Sequence, residues 1–350
     1  MNPKKNDKLN MTAPVREIIV ISVLSLCLVI TCGIALMIGR YHIDIVNIVK
    51  IILNGIFGSG SAGSPADSLV VFKVRLPRIL AAVTVGATLS AAGACYQNIF
   101  RNPMAEPSLL GVTAGSAFGA AIAILFSFSV AMIQITAFAS GLVAVAATSA
   151  LSTFVNRNGE KTLTLLLCGI VTGTLFSAFL SLVKYAADPY SKLPAITYWL
   201  MGSLASVNMT DIKFASVFGL CGLIPLLLLR WRINAMAFGD DEAHTLGINT
   251  TVVRTVVICS STLITAAAVS ISGMIGWIGL VIPHLARMLV GPSFAVLLPV
   301  SILLGALFLL VVDSIARTVF SIEIPLGILT AIVGAPFFVA LLSKGRKGWL

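Results

Sequence analysis

Charged side chains are scarce in this sequence. Asp, Glu, Lys and Arg together make up 10% of the 350 residues, whereas hydrophobic residues make up 58%. Soluble domains carry about 25% charged residues. A chain this apolar cannot cover itself with an ordinary polar surface, so its outer surface has to face lipid. The composition therefore excludes a soluble protein and predicts a membrane protein.

The sequence also lacks the motifs of nucleotide binding and catalysis. It contains no G-x-x-x-x-G-K-[ST] loop and no Gly-Lys pair at all. The three histidines, His42, His244 and His284, are far apart and form no H-E-x-x-H motif. We therefore predict no catalytic residues, no metal site and no cofactor bound by this chain. Energy for active transport has to come from another subunit or from an ion gradient.

Cysteines with the spacing of metal ligands are absent as well. All six cysteines lie inside apolar stretches, and no C-x-x-C motif occurs. We interpret them as small residues that face lipid or the core, and not as disulfides or metal ligands. They are Cys27, Cys32, Cys95, Cys168, Cys221 and Cys259.

Long apolar stretches dominate what remains. A transmembrane helix needs about 20 mainly apolar residues, and the candidates are residues 17–39, 77–99, 108–127, 130–155, 163–186, 210–230, 254–273, 275–290, 294–314 and 325–343. An even number of spans places both termini on one side. Lys and Arg favour that side, which predicts that it is cytoplasmic. The expected fold is an all-α, multi-pass protein of the cell (inner) membrane with about ten transmembrane helices.

The span count divides the chain into three segments: a cytoplasmic N-terminal segment (1–16), a single transmembrane domain (17–343) and a cytoplasmic tail (344–350). Two outer connections are longer than turns. Residues 40–76 carry a Gly/Ser-rich patch, Gly58 to Ser64, which predicts a mobile surface loop. Residues 187–209 contain prolines and aromatic residues, which suit a short helix at the membrane interface.

Arginines crowd together at the predicted outer mouth of the second span. Arg75 and Arg78 flank a Leu-Pro pair, and Arg317 lies near the outer end of the ninth span. One interpretation is an anchor whose side chains reach up to the interface. The other is a docking point for acidic side chains of an external partner, because the planar guanidinium pairs bidentately with carboxylates.

The longest inner connection holds the one dense acidic run of the sequence. Asp240 or Asp241 can cap a short helix there, and Gly247 can end it. Asn249 or Thr250 can then cap a second helix that leads into the seventh span. The pattern predicts two short capped helices that form a rigid knob at the cytoplasmic surface, with a solvated loop as the alternative.

Helix breakers follow the second span. Pro103 and Pro107 cannot both lie in one regular helix interior. Residues 97–107 therefore form either a tight inner turn or a non-helical constriction beside a pathway. Three glycines then recur at four-residue spacing and predict close helix packing; they are Gly111, Gly115 and Gly119.

Taken in order, the motifs resemble the FecCD family. The resemblance rests on RLPR, GATLSAAGACYQNIFRNPMAEPSLLGVTAG, YWLMGSL, GDDEAHTLGIN, IGWIGLVIPHLARM, DSIAR and EIPLGILTAIVGAPFF. It covers nearly the whole chain from about residue 70. Members of this family are permeases of type II ABC importers for iron-siderophores, haem and vitamin B12.

The resemblance implies a type II ABC importer permease fold with ten helices per subunit. It implies a homodimer or a close heterodimer with the translocation path at the subunit interface. Two ATP-binding subunits with ATP-Mg would lie inside, and a substrate-binding protein would lie outside. This chain would be a transport subunit without its own ATPase site. Its first expected cargo is an iron(III)-siderophore, followed by haem and cobalamin.

The resemblance also implies roles for particular residues. The arginines that match a binding-protein docking site are Arg75, Arg78 and Arg317. Residues 237–250 match the coupling helices that sit in clefts of the ATPases, and we assign the contact to Gly239, Asp240, Asp241, Glu242, Ala243, Leu246 and Gly247. The residues that match cytoplasmic gates are Asn102, Met104, Thr162 and Thr164. Met104 departs from the Leu that the family often has, a change of similar volume.

Two other functions stay open from the sequence. A secondary transporter driven by protons or sodium needs buried carboxylates at mid-membrane, and the spans offer only Asp313, near a span end. An intramembrane enzyme needs a nucleophile with a base, or a metal set, and the sequence offers neither. Uptake without an ATPase subunit would favour the first, and turnover by the isolated chain would favour the second.

Overall fold

The computed structural model describes residues 13–39, 41, 43–57, 64–155, 161–319 and 322–344. Within these residues the regular structure is helical throughout, with no β-strand. The α-helices are α1 (Ala13–Met37), α2 (Ile45–Phe57), α3 (Pro65–Leu69), α4 (Leu76–Ile99), α5 (Val112–Leu125), α6 (Val130–Val155), α7 (Lys161–Ala186), α8 (Lys192–Met201), α9 (Met209–Leu228), α10 (Arg230–Met236), α11 (Asp240–Thr245), α12 (Thr250–Ser272), α13 (Ile278–Val290), α14 (Phe294–Thr318) and α15 (Leu326–Lys344). A π-helical turn spans Val70–Arg75, and a 3₁₀ turn spans Pro107–Leu110.

Each of the ten predicted spans coincides with a helix. Among the described residues, seven helical stretches are long and apolar enough to cross a membrane, namely α1, the run 65–99, α6, α7, α9, α12 and α14. The other three predicted spans correspond to the shorter apolar helices α5, α13 and α15. The expectation of an all-α membrane protein is confirmed.

The second span is the centre of the bundle. It is one helical run over residues 65–99, because α3, the π-helical turn and α4 follow one another without a break. In its most apolar window 83% of the residues are buried, against 6% for α1. Glycines make this central position possible, since a Cβ on Gly86 would lie 2.2 Å from the Gly305 oxygen of α14. The backbones of α4 and α14 touch there, as at small-residue helix interfaces in membranes.

Of the three glycines that follow the second span, Gly115 and Gly119 form the predicted close-packing face, whereas Gly111 lies before the helix and faces Gly173 of α7. A Cβ on Gly115 would lie 2.5 Å from the Cβ of Ala144, and a Cβ on Gly119 would lie 2.4 Å from the Thr136 oxygen. Helices α5 and α6 therefore pack at close range along this face. Gly111 has φ +85° and precedes α5, where the chain turns into the helix.

The outer connection 40–76 differs from the expected loop. It contains helix α2. In addition, α3 and the π-helical turn lengthen the second span at its N-terminal end by about three turns. Helix α2 is amphipathic and packs Ile48 and Ile51 against Val71, so its apolar stripe explains why it forms. The mobile loop was predicted from the Gly/Ser patch, whose residues 58–63 lie outside the described part of the chain, so for those residues it stays a prediction. Residues 187–209 do contain the predicted short helix, α8.

A non-helical stretch separates α12 from α13. Gly273 has φ +68°, and Trp277 adopts a left-handed conformation with φ +71°. The stretch packs against the end of α8 and the start of α15: a Cβ on Gly202 would lie 2.6 Å from the Met274 oxygen, and a Cβ on Gly327 would lie 2.9 Å from it. Irregular backbone at this depth is tolerated because protein surrounds it.

Candidate functional site

Arg75, the first of the predicted docking arginines, places its side chain at the end of helix α1. Its side chain is 3% exposed. Its guanidinium donates to the backbone oxygens of Leu36, Met37 and Tyr41. The last carbonyls of an α-helix have no partner within the helix, and a basic side chain there also matches the helix dipole. In this structure Arg75 therefore caps α1.

Arg317, which lies on α14, also binds the end of α1. It is 6% exposed, and its Nη2 donates to the Ala35 oxygen at 2.6 Å. Because Ala35 precedes Leu36, the two arginines bind successive carbonyls in the last turn of α1. The structure thus brings Arg75 and Arg317 together around one helix end.

Arg78 instead pairs with two carboxylates. Its Nε and Nη2 contact Asp313 Oδ1 at 2.9 Å, and its Nη1 donates to both oxygens of Glu323 at 3.0 Å. The Asp313 side chain is fully buried, whereas the Glu323 side chain is 35% exposed. Asp313 lies one helical turn before Arg317, so all three arginines meet in one cluster. We call this cluster, with Asp313 and Glu323, the arginine end.

The predicted acidic run lies in a second region, which consists of α10, α11 and the start of α12. Gly239 precedes α11 with φ +131°, a conformation that favours glycine. The predicted capping of α11 by Asp240 or Asp241 is wrong, because Gly239 occupies the cap position without a side-chain bond. Asp240 is engaged elsewhere: both its carboxylate oxygens accept from Arg254 Nη2, at 2.7 and 2.8 Å.

The end of α11 and the start of α12 follow the prediction. Gly247 has φ +75°, and its N–H donates to the His244 oxygen at 2.9 Å. Asn249 caps α12, because its Oδ1 accepts from Val252 N–H at 3.1 Å. The hydroxyl of Thr250 contacts His244 Nε2 at 3.0 Å. Helix α11 is thus joined to α12 by a short, hydrogen-bonded connection.

The surface of α11 combines apolar and acidic side chains. Ala243 is fully buried and belongs to the main hydrophobic core. Leu246 is 67% exposed, and Phe238, just before the helix, is 70% exposed. Asp241 and Glu242 are exposed beside them. We call this surface, Phe238 to Gly247, the acidic knob. An exposed apolar group of this kind, rimmed by charge, is typical of a protein contact.

The predicted gate residues lie in turns and at a helix start. Arg101 has φ +46°, and Asn102 Oδ1 accepts from Met104 N–H at 2.9 Å, so the tight inner turn is the form that the structure shows. Met104 is 46% exposed. Thr162 and Thr164 are half-buried at the start of α7. In this helix Gly169 packs against the 3₁₀ turn, since its Cβ would lie 2.2 Å from the Leu109 oxygen. Their role as gates stays a prediction.

Three features of these ends were missed from the sequence. Asp313 and Glu323 were not recognised as partners of Arg78, and Arg254 was not recognised as the partner of Asp240. A lone carboxylate inside an apolar span was the available signal for Asp313, because such a group needs a buried cation. Among the described residues, no group of three or more His, Cys, Asp or Glu side chains is placed to hold a metal ion.

These features define a multi-pass permease subunit, and comparison with known proteins identifies its family. The model of the FecCD transport family matches residues 27–344. A molybdate import system permease protein of Haemophilus influenzae is 43% identical over 93% of this chain and 95% of its own length. A permease of Helicobacter pylori named for iron chelatin transport is 41% identical over 80% of this chain and 84% of its own.

A solved structure has the same fold. It is an ABC transporter assigned to the metal-chelate type, in an inward-facing conformation, with 42% identity and a TM-score of 0.82. The match covers 93% of this chain and 98% of that one. The chain therefore belongs to the FecCD transport family. It is a permease subunit of an ABC importer, a kind of subunit that has no ATPase site of its own.

Proposed function

We propose that this chain forms the membrane path of a binding-protein-dependent importer for an iron(III) chelate or a related metal-bearing solute. It pairs with a second copy or a close paralogue. Two ATP-binding subunits, which hold ATP-Mg, lie at the acidic knob, and an extracytoplasmic substrate-binding protein lies at the other side. Both termini are cytoplasmic in this proposal, and no chemistry is performed on the cargo.

The observation that carries the proposal is the linkage between the acidic knob and α12. The buried Arg254 belongs to α12, and it holds Asp240 of α11 at 2.7 Å. The cap by Asn249 and the contact between His244 and Thr250 hold the same connection between α11 and α12 in place. A displacement of the knob by an ATPase is therefore passed to a spanning helix directly. ATP shifts the balance between two states of the permease only because it binds them with different affinity.

The docking role of the arginine end rests on the residue match with the family. In this conformation its three guanidinium groups are 3–7% exposed and bind acceptors within the chain. Of the two carboxylates among these acceptors, Glu323 is the more exposed. A glutamate of the binding protein therefore reaches Arg78 only by sharing it with Glu323 or by replacing Glu323.

Molybdate is the second candidate cargo. The observation that favours it is the 43% identity with the Haemophilus influenzae molybdate permease over nearly the full length of both chains. The iron chelate is favoured by the Helicobacter pylori relative and by the metal-chelate type of the solved structure.

Reconstituted uptake tests both the class and the cargo. The permease, its ATP-binding subunit and candidate binding proteins are placed in liposomes, and uptake of labelled ferric siderophore, haem, cobalamin and molybdate is followed. We expect ATP-dependent accumulation of one of these solutes. Uptake without the ATP-binding subunit, driven by a proton or sodium gradient, would contradict the proposal and support a secondary transporter.

A further inference from the structure

A large cavity between α6 and α12 has no part in the proposed transport cycle. Its volume is about 920 Å³, and it opens at the surface of the chain, where its lining residues Ala146, Thr255 and Cys259 are exposed. One face of α6 and one face of α12 form its walls, and Leu165 of α7 lies at its edge. Pockets of roughly 300–1,000 Å³ are the size that holds small ligands.

The polarity of the walls changes along the cavity. At the end near α11 the walls carry hydroxyl groups and one cation, from Ser152, Thr153, Thr251, Arg254 and Thr255. Farther from α11 the walls are mainly apolar, with Leu142, Val145, Ile258 and Leu263, and they also carry the hydroxyl groups of Ser260 and Thr262. Because α6 ends where α12 begins, both helices contribute to each half. The cavity thus has one charged end and one mainly apolar end.

Arg254 at the charged end is incompletely satisfied. It is 9% exposed, and its hydrogen bonds to protein groups run from Nη2 to Asp240. Its Nε has no hydrogen-bond partner in the described part of the chain. A guanidinium offers five donors, and Asp240, whose side chain is 44% exposed, accepts from Nη2 alone. A buried guanidinium donor without a partner favours an acceptor such as a phosphate oxygen.

The length of the cavity matches one membrane leaflet. From Thr251 to Leu263 an α-helix rises ~18 Å, and half of a bilayer's hydrocarbon core is about 15 Å thick. Arg254 lies one turn into α12, so a membrane surface placed at the start of α12 puts it at the depth of lipid headgroups. Ile258 and Leu263 then lie at the depth of acyl chains.

We propose that this cavity binds an anionic phospholipid, with its phosphate at Arg254 and an acyl chain along Leu142, Ile258 and Leu263. The lipid comes from the leaflet on the side of the acidic knob. In the proposed orientation this is the cytoplasmic leaflet, whose anionic lipids attract cations at its surface. Since Arg254 also holds Asp240, the bound headgroup adjoins the connection between α11 and α12. The site depends on neither the cargo nor the identity of the protein partners.

Native mass spectrometry of the purified full chain tests this assignment. The chain is delipidated in detergent and titrated with phosphatidylglycerol or phosphatidylcholine of the same acyl chains. We expect about tenfold tighter retention of phosphatidylglycerol, because both lipids carry the phosphate but the trimethylammonium group of phosphatidylcholine opposes the positive charge of Arg254. Arg254→Gln should remove the preference. The matched control Arg232→Gln, which changes an exposed arginine on α10, should keep it.

A second variant separates lipid binding from folding. Arg254→Gln also leaves Asp240 without its partner, so its thermal stability and its size-exclusion profile are measured beside the lipid titration. Ala146→Phe fills the cavity mouth and leaves Arg254 intact, and we expect it to lower retention of both lipids. Equal retention of the two lipids by the unchanged chain would overturn the proposal. Unchanged retention in Ala146→Phe would also overturn it.

Discussion

The two ends of this molecule use charge in opposite ways. At the arginine end, Arg75, Arg78 and Arg317 are buried and bind carbonyls or carboxylates of the same chain. At the acidic knob, Asp241 and Glu242 are exposed beside Leu246. Charge at the end of a span therefore does not by itself mark a docking surface. What separates the two cases is whether the side chains are already satisfied inside the protein.

The difference has a physical cause. Helix α1 ends beside α14, so its last carbonyls are enclosed by protein and need donors. Asp313 lies inside a spanning helix and needs a cation. Helix α11, in contrast, buries only Ala243 and leaves its other side chains outside the core. We expect stability to depend on the arginine end and coupling to depend on the knob.

Asp313→Ala should give the largest loss of stability. It removes the buried partner of Arg78 and leaves that cation with the partly exposed Glu323 alone, and breaking a buried ion pair costs ~3–5 kcal/mol. Unfolding of the purified chain in mixed detergent measures the change. Asp241→Asn, an exposed carboxylate on the knob, is the control and should stay within about 0.5 kcal/mol. Equal effects of the two variants would remove the contrast between the ends.

Gly239→Ala should give an intermediate loss. The new Cβ would lie 2.2 Å from the Glu242 carboxylate, and the backbone has φ +131°. Holding a non-glycine residue there costs ~1–3 kcal/mol, and we expect it to appear as faster proteolysis of the knob. Gly276→Ala is the matched control, because a Cβ added there would meet no neighbouring atom within 4 Å. If both variants are cleaved at the same rate, the special conformation of Gly239 is not needed.

Glu323→Gln should cost less, on the order of 1 kcal/mol or below, because the Glu323 side chain is 35% exposed and solvent screens its pair with Arg78. The same detergent unfolding assay gives the value, with Asp313→Ala as the reference. A loss as large as that of Asp313→Ala would mean that Glu323 is an equal member of the buried cluster, and not its replaceable edge.

Leu246→Asp should change stability least and function most. Leu246 is 67% exposed, so its replacement leaves the fold within about 0.5 kcal/mol. In the reconstituted complex we expect ATP hydrolysis to continue while uptake falls. Tyr190→Asp, at a 92% exposed position between α7 and α8, is the control. Normal uptake by Leu246→Asp would contradict the coupling role of the knob.

The spans could be predicted because apolar length is a local property, and the packing glycines could be predicted because their spacing is local too. The partners of the arginines could not be predicted. Asp313 and Glu323 are 235 and 245 positions from Arg78, and only the packing of α4 against α14 brings them together. Helix α2 was missed because the neighbouring Gly/Ser patch outweighed its apolar stripe. The partner of Asp240 was missed because Arg254 was counted only as a positive charge near a span end.

Cysteine labelling at position 246 tests the central claim most directly. Leu246→Cys is introduced into a chain without its six native cysteines and is treated with a membrane-impermeant maleimide. We predict labelling in inside-out vesicles and protection in intact cells, because ATP-binding subunits can reach the acidic knob only from the cytoplasm. Labelling of intact cells would place the knob outside and contradict the account.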